Sequence, residues 1–345
     1  MIKAAVLGAT GIVGQRLIKF LEGHPWFQVA SVAASEKRIG KKYGETAVWL
    51  LPGGIPKAVA ELPVCGIDPK SVGDVDLVFS TLPSEVAGEV EESFAKAGYV
   101  VLSDAASHRM EPDVPILIPE VNAEHIALID EQKKNRKWDG AIVTNPNCTV
   151  VGLAMSLKPI FDNFGVSRII LSTMQALSGA GYPGVASLDI ADNVIPYIRR
   201  EEEKVEAETL KMLGSTHKPA EIKVSASCHR VNVTDGHLEA VFLETGKQAK
   251  PEDVAEAMRS FRGEPQRLGL PSAPKHPIAV RDEPDRPQPK LDRMEGKGMA
   301  VVVGRIRKDP VFSGIKYLVL SHNTVRGAGG NSTLNAELLK AKGYL

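Results

Sequence analysis

The chain has 345 residues, which exceeds one typical hydrophobic core and therefore predicts two domains. Lysine plus arginine and aspartate plus glutamate both number 42, so no net charge attracts nucleic acid or an anionic membrane surface. These totals indicate a globular protein whose partner is a small molecule.

The first residues, MIKAAVLGATGIVG, form a short apolar run that soon meets glycines, unlike a secretory signal or a membrane span. We interpret them as the start of a strand. The cysteines, Cys65, Cys148 and Cys228, are odd in number and scattered, which fits neither a disulfide framework nor a CxxC metal site. We therefore expect no metal and a reducing, cytoplasmic environment.

Short apolar runs alternate with amphipathic runs through residues 1–147, and this alternation predicts a parallel sheet flanked by helices. After one helix-like run beginning near Cys148, longer β-type segments predict a second domain with a mainly antiparallel sheet. Prolines recur between Pro265 and Pro289, which excludes a central strand or a long helix and predicts a surface loop. The tail predicts a glycine-rich turn and a last helix that returns to the first domain.

Gly8, Gly11 and Gly14 in GATGIVG follow the first predicted strand and open a helix, where backbone N–H groups and the helix dipole can bind a pyrophosphate. The spacing is GxxGxxG rather than the commoner GxGxxG, and a glycine cluster can also serve only tight strand-to-helix packing. We favour dinucleotide binding. The fold class is therefore α/β, with a Rossmann-type parallel-sheet domain at 1–147 plus 323–345 and an α+β domain with a mainly antiparallel sheet at 148–322.

The second predicted strand ends without the carboxylate that accepts the ribose hydroxyls of NAD. It ends in Ala34 and Ser35, followed by Lys37 and Arg38, which favour the 2′-phosphate of NADP. Glu36 is the alternative, because a shifted strand end would make it the acid that selects NAD. We predict NADP as the cofactor.

Cys148 stands at the predicted start of a helix, directly after a β-type run, with Asn147 as a candidate N-cap. Unpaired N–H groups at that position stabilise a thiolate. An isolated cysteine is otherwise an inert, buried hydrophobe. The junction between two domains is where α/β folds place ligands, so we favour a nucleophile.

Arg230 and His237 flank the segment VNVTDG, where Asp235-Gly236 predicts a hairpin turn between two alternating strands. Such a turn brings both side chains to one end of a sheet. A histidine suits proton transfer near neutral pH, and an arginine offers a planar fork to a carboxylate or phosphate. Taken alone, either residue is more often structural.

A nucleotide site, a thiolate, a base and an anion-binding arginine together indicate reduction of an activated acyl group. The cysteine attacks the acyl carbon and a hydride from NADPH reduces the resulting thioester. An ordinary aldehyde dehydrogenase fits the same parts, but the additional anion-binding groups favour a phosphorylated acyl substrate.

Seven segments resemble those of the aspartate-semialdehyde dehydrogenase family and keep its order over nearly the whole chain. They are GATGIVG, NPNCTV, SGAGYPG, EEEKVEAETLKMLG, CHRVNVTDGH, RPQPKLDR and NTVRGAGGNS. NPNCTV and the compact, ungapped form resemble the archaeal and fungal branch. The resemblance implies NADPH-dependent, reversible conversion of L-4-aspartyl phosphate to L-aspartate 4-semialdehyde, in the biosynthesis of lysine, threonine and methionine.

By this resemblance Cys148 is the acyl-thioester nucleophile and His237 the acid/base. Gln175 orients the substrate, and Arg230 with a glutamate of EEEK holds the carboxylate and amine of the aspartyl group. Substrate contacts are assigned to Arg109, Asn147, Gln175, Glu201, Lys204 and Arg230. Cofactor contacts are assigned to Gly8, Thr10, Gly11, Ile12, Val13, Ser35, Arg38, Ser178, Gly179 and Asn331.

Two details of this assignment stay open. Glu201 and Lys204 share one helix face, but spacing does not select among Glu201, Glu202 and Glu203. Arg109 is assigned to the phosphate with Lys204 as its helper, whereas SDAASHRM carries Asp104 where the family often has asparagine.

A paralogous reductase acting on N-acetyl-glutamyl phosphate or malonyl-CoA needs the same cysteine, histidine and NADP. The EEEK segment discriminates, because a free α-amino group calls for a nearby carboxylate. A non-catalytic NADP-binding sensor is the alternative outside enzymes. The family resemblance also predicts a homodimer or homotetramer formed through the second sheet.

Overall fold

The structure is a computed structural model that describes residues 1–312 and 314–345. Its first sheet has six parallel strands in the order β3-β2-β1-β4-β5-β6. The strands are β1 Ile2–Leu7, β2 Phe27–Ala33, β3 Val64–Cys65, β4 Leu77–Ser80, β5 Val100–Ser103 and β6 Ala141–Thr144. Every residue of β4, β5 and β6 is buried, because helices cover both faces of the sheet. The predicted Rossmann-type sheet is confirmed.

The second sheet also has six strands, in the order β10-β11-β12-β9-β7-β8. They are β7 Val166–Gln175, β8 Lys223–Arg230, β9 His237–Thr245, β10 Ile278–Arg281, β11 Val301–Asp309 and β12 Gly314–Ser321. Three neighbouring pairs are antiparallel, while β10–β11 and β7–β8 are parallel. The prediction of a mainly antiparallel sheet is confirmed. β10 lies inside the proline-rich segment and is an edge strand, where prolines are tolerated.

Helices complete the described part of the chain. They are α1 Ile12–Phe20, α2 Tyr43–Thr46, α3 Lys57–Ala60, α4 Ser84–Lys96, α5 Pro119–Asn122, α6 Leu128–Arg136, α7 Cys148–Phe164, α8 Ser187–Ile190, α9 Glu201–Leu213, α10 Pro251–Ser260, α11 Glu264–Leu268, α12 Pro289–Asp292 and α13 Gly330–Ala341. Among the residues described, none of these helices is both long enough and apolar enough to cross a membrane.

Two helices pack on the sheets and contribute side chains to their hydrophobic cores. α7 packs on the second sheet, where Val151 joins Val241 of β9 in one apolar cluster. α13 returns to the first sheet, and its Leu334 and Leu338 share a core with Val6 of β1. These side chains are fully buried. Burial of each such side chain contributes roughly 1.5–3 kcal/mol to the free energy of folding.

β8 and β9 do not form the hairpin that Asp235-Gly236 predicts. β7 lies between them, with Gln175 opposite Arg230 of β8. The prediction is wrong because alternation and a turn signal mark where strands end but not which strand becomes the neighbour. Residues 231–236 need to span only about 10 Å to cross one strand, which their extended length allows. The crossing still brings Arg230 and His237 to the same end of the sheet.

Candidate active site

A cavity of ≈ 940 Å³ joins the ends of β1, β4 and β5 to the end of the second sheet. Most of the predicted site residues line it: Gly8, Thr10, Gly11, Ile12, Val13, Ser35, Arg38, Arg109, Asn147, Cys148, Gln175, Ser178, Gly179, Glu201, Lys204 and Arg230. Residues predicted to bind the nucleotide and residues predicted to bind the substrate therefore line the same cavity. Nowhere in the described ranges do three or more His, Cys, Asp or Glu side chains cluster as metal ligands.

The glycine-rich turn after β1 packs so closely on neighbouring backbone that Gly8 and Gly14 have no room for a side chain. A Cβ on Gly8 would lie 2.8 Å from the carbonyl oxygen of Thr81, and one on Gly14 would lie 2.6 Å from the carbonyl oxygen of Gly8. Gly8 has a φ of +74°, in the left-handed region that favours glycine. Gly11 precedes α1, whose first turn lines the cavity with unpaired N–H groups. This cradle fits a pyrophosphate.

The residues after β2 fit a second phosphate. Ser35 and Arg38 line the cavity, whereas Glu36 and Lys37 are exposed and do not. Arg38 Nη1 donates to the carbonyl oxygen of Thr46 at 2.5 Å, which fixes the guanidinium beside the turn. A cationic side chain in place of a carboxylate fits the 2′-phosphate of NADP rather than the free ribose of NAD.

Cys148 is the first residue of α7, and its sulfur faces a histidine. Asn147 caps the helix, and its Oδ1 accepts from the N–H of Thr149 at 2.8 Å. Cys148 Sγ lies 3.2 Å from His237 Nε2. Burial raises the pKa of the Cys148 thiol to about 12, and the Glu201 carboxylate acts in the same direction. Without ligand the sulfur is therefore a thiol at neutral pH.

His237 is fixed as a hydrogen-bond donor toward that sulfur. The backbone N–H of Ala176 donates to His237 Nδ1 at 3.0 Å, so Nδ1 is an acceptor and the neutral ring carries its proton on Nε2. Burial, followed by the charge of Arg230 and by His322, lowers the pKa of His237 to about 3. At neutral pH the imidazole is therefore uncharged, with Nε2–H directed at Cys148.

α9 brings a carboxylate to the cavity. Of the three glutamates that begin this helix, Glu201 lines the cavity, and its Oε1 accepts from Asn147 Nδ2 at 3.0 Å. Glu202 instead accepts from the N–H of Cys228 at 2.9 Å, and Glu203 is exposed. Of Glu201, Glu202 and Glu203, the structure thus places Glu201 alone at the cavity wall.

Arg230 lies beside Cys148 and His237. Its Nη1 donates to the carbonyl oxygen of Ala176 at 2.7 Å, which orients the guanidinium at the end of β8. A Cβ on Gly179 would lie 2.8 Å from Arg230 Nη1 and 3.1 Å from His237 Cε1. The glycine at 179 thus permits the close packing of this arginine and this histidine. The neighbouring Gln175 is buried in the cavity wall.

Arg109 is a second buried arginine of the cavity wall. Its Nη2 donates to the carbonyl oxygen of Asp104 at 2.7 Å, and its Nη1 donates to Glu208 Oε1 at 3.0 Å. Lys204 lines the cavity from α9. Two cationic side chains therefore lie where an anionic group can bind. Burial raises the pKa of Asp104 to about 6.

Two predicted site residues, His237 and Asn331, and the core cysteine Cys228 are not among the residues that line the cavity. His237 is fully buried and reaches the cavity only through its contact with Cys148 Sγ. Asn331 is fully buried, and its Nδ2 donates to the oxygens of Leu117 and Asn145 at 2.9 Å, because α13 turns this side chain toward the first sheet. Cys228 is buried in the core of the second domain. Neither side chain lines the cavity that contains Cys148.

Sequence reasoning missed several residues of the wall. Asn323 accepts from the N–H of Gly236 and donates to Ser178 Oγ, both at 2.8 Å. It opens the same NTVRGAGGNS segment that contains Asn331, and it is the asparagine of this segment that lines the cavity. The other missed residues include Ser84, Arg199, Thr324 and Gly327. Ser84 begins α4, Arg199 lies in the loop before α9, and Thr324 and Gly327 belong to the same NTVRGAGGNS segment as Asn323.

Two family models match the chain. One is described as the NAD binding domain of semialdehyde dehydrogenase and matches residues 3–129, and the other as the dimerisation domain of semialdehyde dehydrogenase and matches residues 157–326. Together they cover most of both sheets.

Curated relatives and a solved structure extend the match. Aspartate-semialdehyde dehydrogenase of Archaeoglobus fulgidus is 56% identical, covering 97% of this chain and 96% of that protein. Malonyl CoA reductase (NADP) of Metallosphaera sedula is 45% identical, covering 100% and 98%. The crystal structure of aspartate semialdehyde dehydrogenase with NADP from Candida albicans is 42% identical, covers 100% of both chains and has a TM-score of 0.92. The chain belongs to the aspartate-semialdehyde dehydrogenase family.

Proposed function

We propose that this protein is a phosphorylating, NADP-dependent aspartate-semialdehyde dehydrogenase. It reduces L-4-aspartyl phosphate to L-aspartate 4-semialdehyde, reversibly, in the biosynthesis of lysine, threonine and methionine. The observation that carries the proposal is the 3.2 Å approach of Cys148 Sγ to His237 Nε2 in a cavity that also contains the glycine-rich turn. The relatives of that name at up to 56% identity support it.

The first step is attack by the Cys148 sulfur on the acyl carbon, which breaks the bond from that carbon to the phosphate oxygen and leaves a thioester on the sulfur. The thiol proton leaves with the phosphate, which departs as hydrogenphosphate. Glu201 opposes ionisation of the thiol, so an ammonium group of the substrate that pairs with Glu201 favours the thiolate. The charges of Arg109 and Arg230 act in the same favourable direction. Substrate binding thus favours the thiolate form of Cys148.

The cofactor supplies a hydride to the thioester carbon when bound. His237 Nε2–H is placed to donate to the sulfur and then to the oxygen that becomes negatively charged as the carbonyl is reduced. When that oxygen re-forms the carbonyl, the C–S bond breaks, which releases the semialdehyde and the Cys148 thiolate. His237 stabilises charge in this scheme without changing its own protonation state.

The substrate is held by groups that match its charges. Glu201 faces the α-ammonium group, and Arg230 offers a bidentate fork to the α-carboxylate. Arg109 and Lys204 take the phosphoryl group, while Gln175 and Asn147 orient the acyl carbon near Cys148. A malonyl group has no ammonium for Glu201, so this carboxylate favours the aspartyl substrate over malonyl-CoA.

We also propose assembly into a homodimer or homotetramer in the cytosol, through the face of the second sheet turned away from α7. Ile170 of β7 is 45% exposed there, and Phe242 of β9 lies on the same face. Light scattering of the purified protein measures this directly. A monomer at micromolar concentration contradicts it.

Reduction of NADP by aspartate semialdehyde tests the function. The purified protein is expected to sustain NADPH formation beyond one equivalent per chain only when inorganic phosphate is present, and malonate semialdehyde with coenzyme A is expected to give a much lower kcat/KM. A higher kcat/KM with the malonyl pair identifies a malonyl-CoA reductase. NADP binding without turnover of either pair identifies a sensor.

A further inference from the structure

One face of α9 continues beyond the residues that line the cavity. Glu201, Lys204, Glu208 and Lys211 follow one another at spacings of three or four residues, so they share a face of the helix. Glu201 and Lys204 line the cavity, whereas Glu208 lies behind it and is 2% exposed. A buried carboxylate needs partners, because an isolated buried charge is costly.

Glu208 has two partners from separate parts of the site. Its Oε1 accepts from Arg109 Nη1 at 3.0 Å, and its Oε2 accepts from the backbone N–H of Asn147 at 2.5 Å. Arg109 belongs to the loop between β5 and α5, which we call the anion-binding loop. Asn147 is the N-cap that directly precedes Cys148. One carboxylate therefore connects the arginine for the phosphoryl group to the residue before the nucleophile.

The same helix also holds the backbone of the anion-binding loop. Lys211 Nζ donates to the carbonyl oxygens of Arg109, Glu111 and Val114 at 2.6, 2.7 and 2.9 Å. These bonds fix the loop, but they leave the Arg109 side chain free to swing about its own bonds. Glu208 and the carbonyl of Asp104 are the contacts that fix the guanidinium itself.

We propose that Glu208 is a positioning residue that sets Arg109 at a fixed place relative to Cys148, so that the bound phosphoryl group presents its acyl carbon to the sulfur. The inference rests on the proposed function. Misplacing a reacting group by about 1 Å can cost on the order of 10²-fold in rate. The Glu208 carboxylate can therefore have a large effect on the rate without touching the substrate.

Glu208→Gln tests the proposal. An amide has one oxygen, so the substituted side chain can accept from Arg109 or from the N–H of Asn147 but meets the other donor with an NH₂ group. The matched control is Glu206→Gln on the same helix, because Glu206 Oε1 also accepts one backbone N–H, that of Ala226, at 3.0 Å. Each variant removes one carboxylate charge from α9.

The measurements are the KM for inorganic phosphate in semialdehyde oxidation, the kcat, and the dissociation constant of NADP by fluorescence. For Glu208→Gln we expect the phosphate KM to rise and kcat to fall by about tenfold or more, with NADP affinity within twofold of the parent. Glu206→Gln is expected to match the parent in all three. A phosphate KM within twofold of the parent in Glu208→Gln overturns the proposal, as does an equal loss in Glu206→Gln.

A double variant shows whether Glu208 acts through Arg109. Arg109→Gln and the double variant Arg109→Gln with Glu208→Gln are expected to have the same phosphate KM, because the carboxylate has no guanidinium left to position. Independent, additive losses overturn the proposal. If Glu208→Gln does not fold, Glu208→Asp keeps the buried charge but reaches only one donor, and the same thresholds apply to it. Phosphate-independent activity of the parent would instead contradict the proposed function.

Discussion

Ala176 holds His237 in one tautomer. The 3.0 Å hydrogen bond from the Ala176 N–H to His237 Nδ1 leaves Nε2–H as the side that faces Cys148 Sγ, 3.2 Å away. The sequence predicted a titrating acid/base at this position. The geometry supports a fixed donor that stabilises negative charge on sulfur and then on oxygen.

His237→Asn should therefore lower kcat by about 10²- to 10³-fold, the usual cost of losing one preorganised donor, with the KM for semialdehyde near that of the parent. Burial depresses the pKa of His237 to about 3, so the ring stays neutral down to that pH and its contribution is lost only as pH falls toward 3. Steady-state rates from pH 5 to 9 check this. An inflection near pH 6.5 that disappears in His237→Asn would show that the ring titrates during turnover.

Gly179→Ala should reduce kcat although the new methyl group is small. Its Cβ would lie 2.8 Å from Arg230 Nη1 and 3.1 Å from His237 Cε1, so both side chains must shift. We expect a loss of roughly tenfold or more, because a small misplacement near the reacting atoms is costly. Gly54→Ala is the control, since nothing lies within 4 Å of a Cβ there. Equal kcat values in the two variants would contradict the packing described for this end of the sheet.

NADPH should exceed NADH in kcat/KM, and Arg38→Gln should remove most of that preference. Arg38 lines the cavity beside Ser35, and a charge-assisted contact with the 2′-phosphate is worth on the order of tenfold in affinity. The variant is expected to keep its activity with NADH. A parent enzyme that prefers NADH would mean that Glu36 accepts the ribose hydroxyls and that the cavity changes shape around the cofactor.

Glu201→Gln should make Cys148 easier to alkylate at pH 7 to 8. Burial is the main cause of the raised thiol pKa, and the Glu201 carboxylate is the next, so its neutralisation lowers the pKa and increases the thiolate fraction at a given pH. Rates of iodoacetamide labelling across pH 6 to 10 provide the measurement. Glu203→Gln, at an exposed position of the same helix, should behave as the parent. A slower reaction in Glu201→Gln would show that the Glu201 carboxylate does not raise the pKa of the Cys148 thiol.

The fold was predictable from local patterns, and almost half of the residues that line the cavity were predictable from those patterns and the family resemblance. Alternation of apolar runs identifies the parallel sheet, and the glycine spacing of Gly8, Gly11 and Gly14 marks the turn after β1. Strand neighbours were not predictable, since the insertion of β7 between β8 and β9 is a long-range choice. Glu208 was missed for the same reason, because its partners are 99 and 61 residues away along the chain. Helical spacing shows which residues share one face of a helix, but not which residues pack against that face.

Trapping of the acyl-enzyme tests the central claim most directly. Incubation with aspartate semialdehyde and NADP, without phosphate, should release close to one equivalent of NADPH per chain and leave an acyl group on the peptide that contains Cys148. Cys228→Ser should give the same result. Cys148→Ser should release no NADPH and carry no acyl group, while its affinity for NADP stays within a few-fold of the parent. An adduct on Cys228, or turnover by Cys148→Ser, would contradict the assignment of Cys148 as the nucleophile.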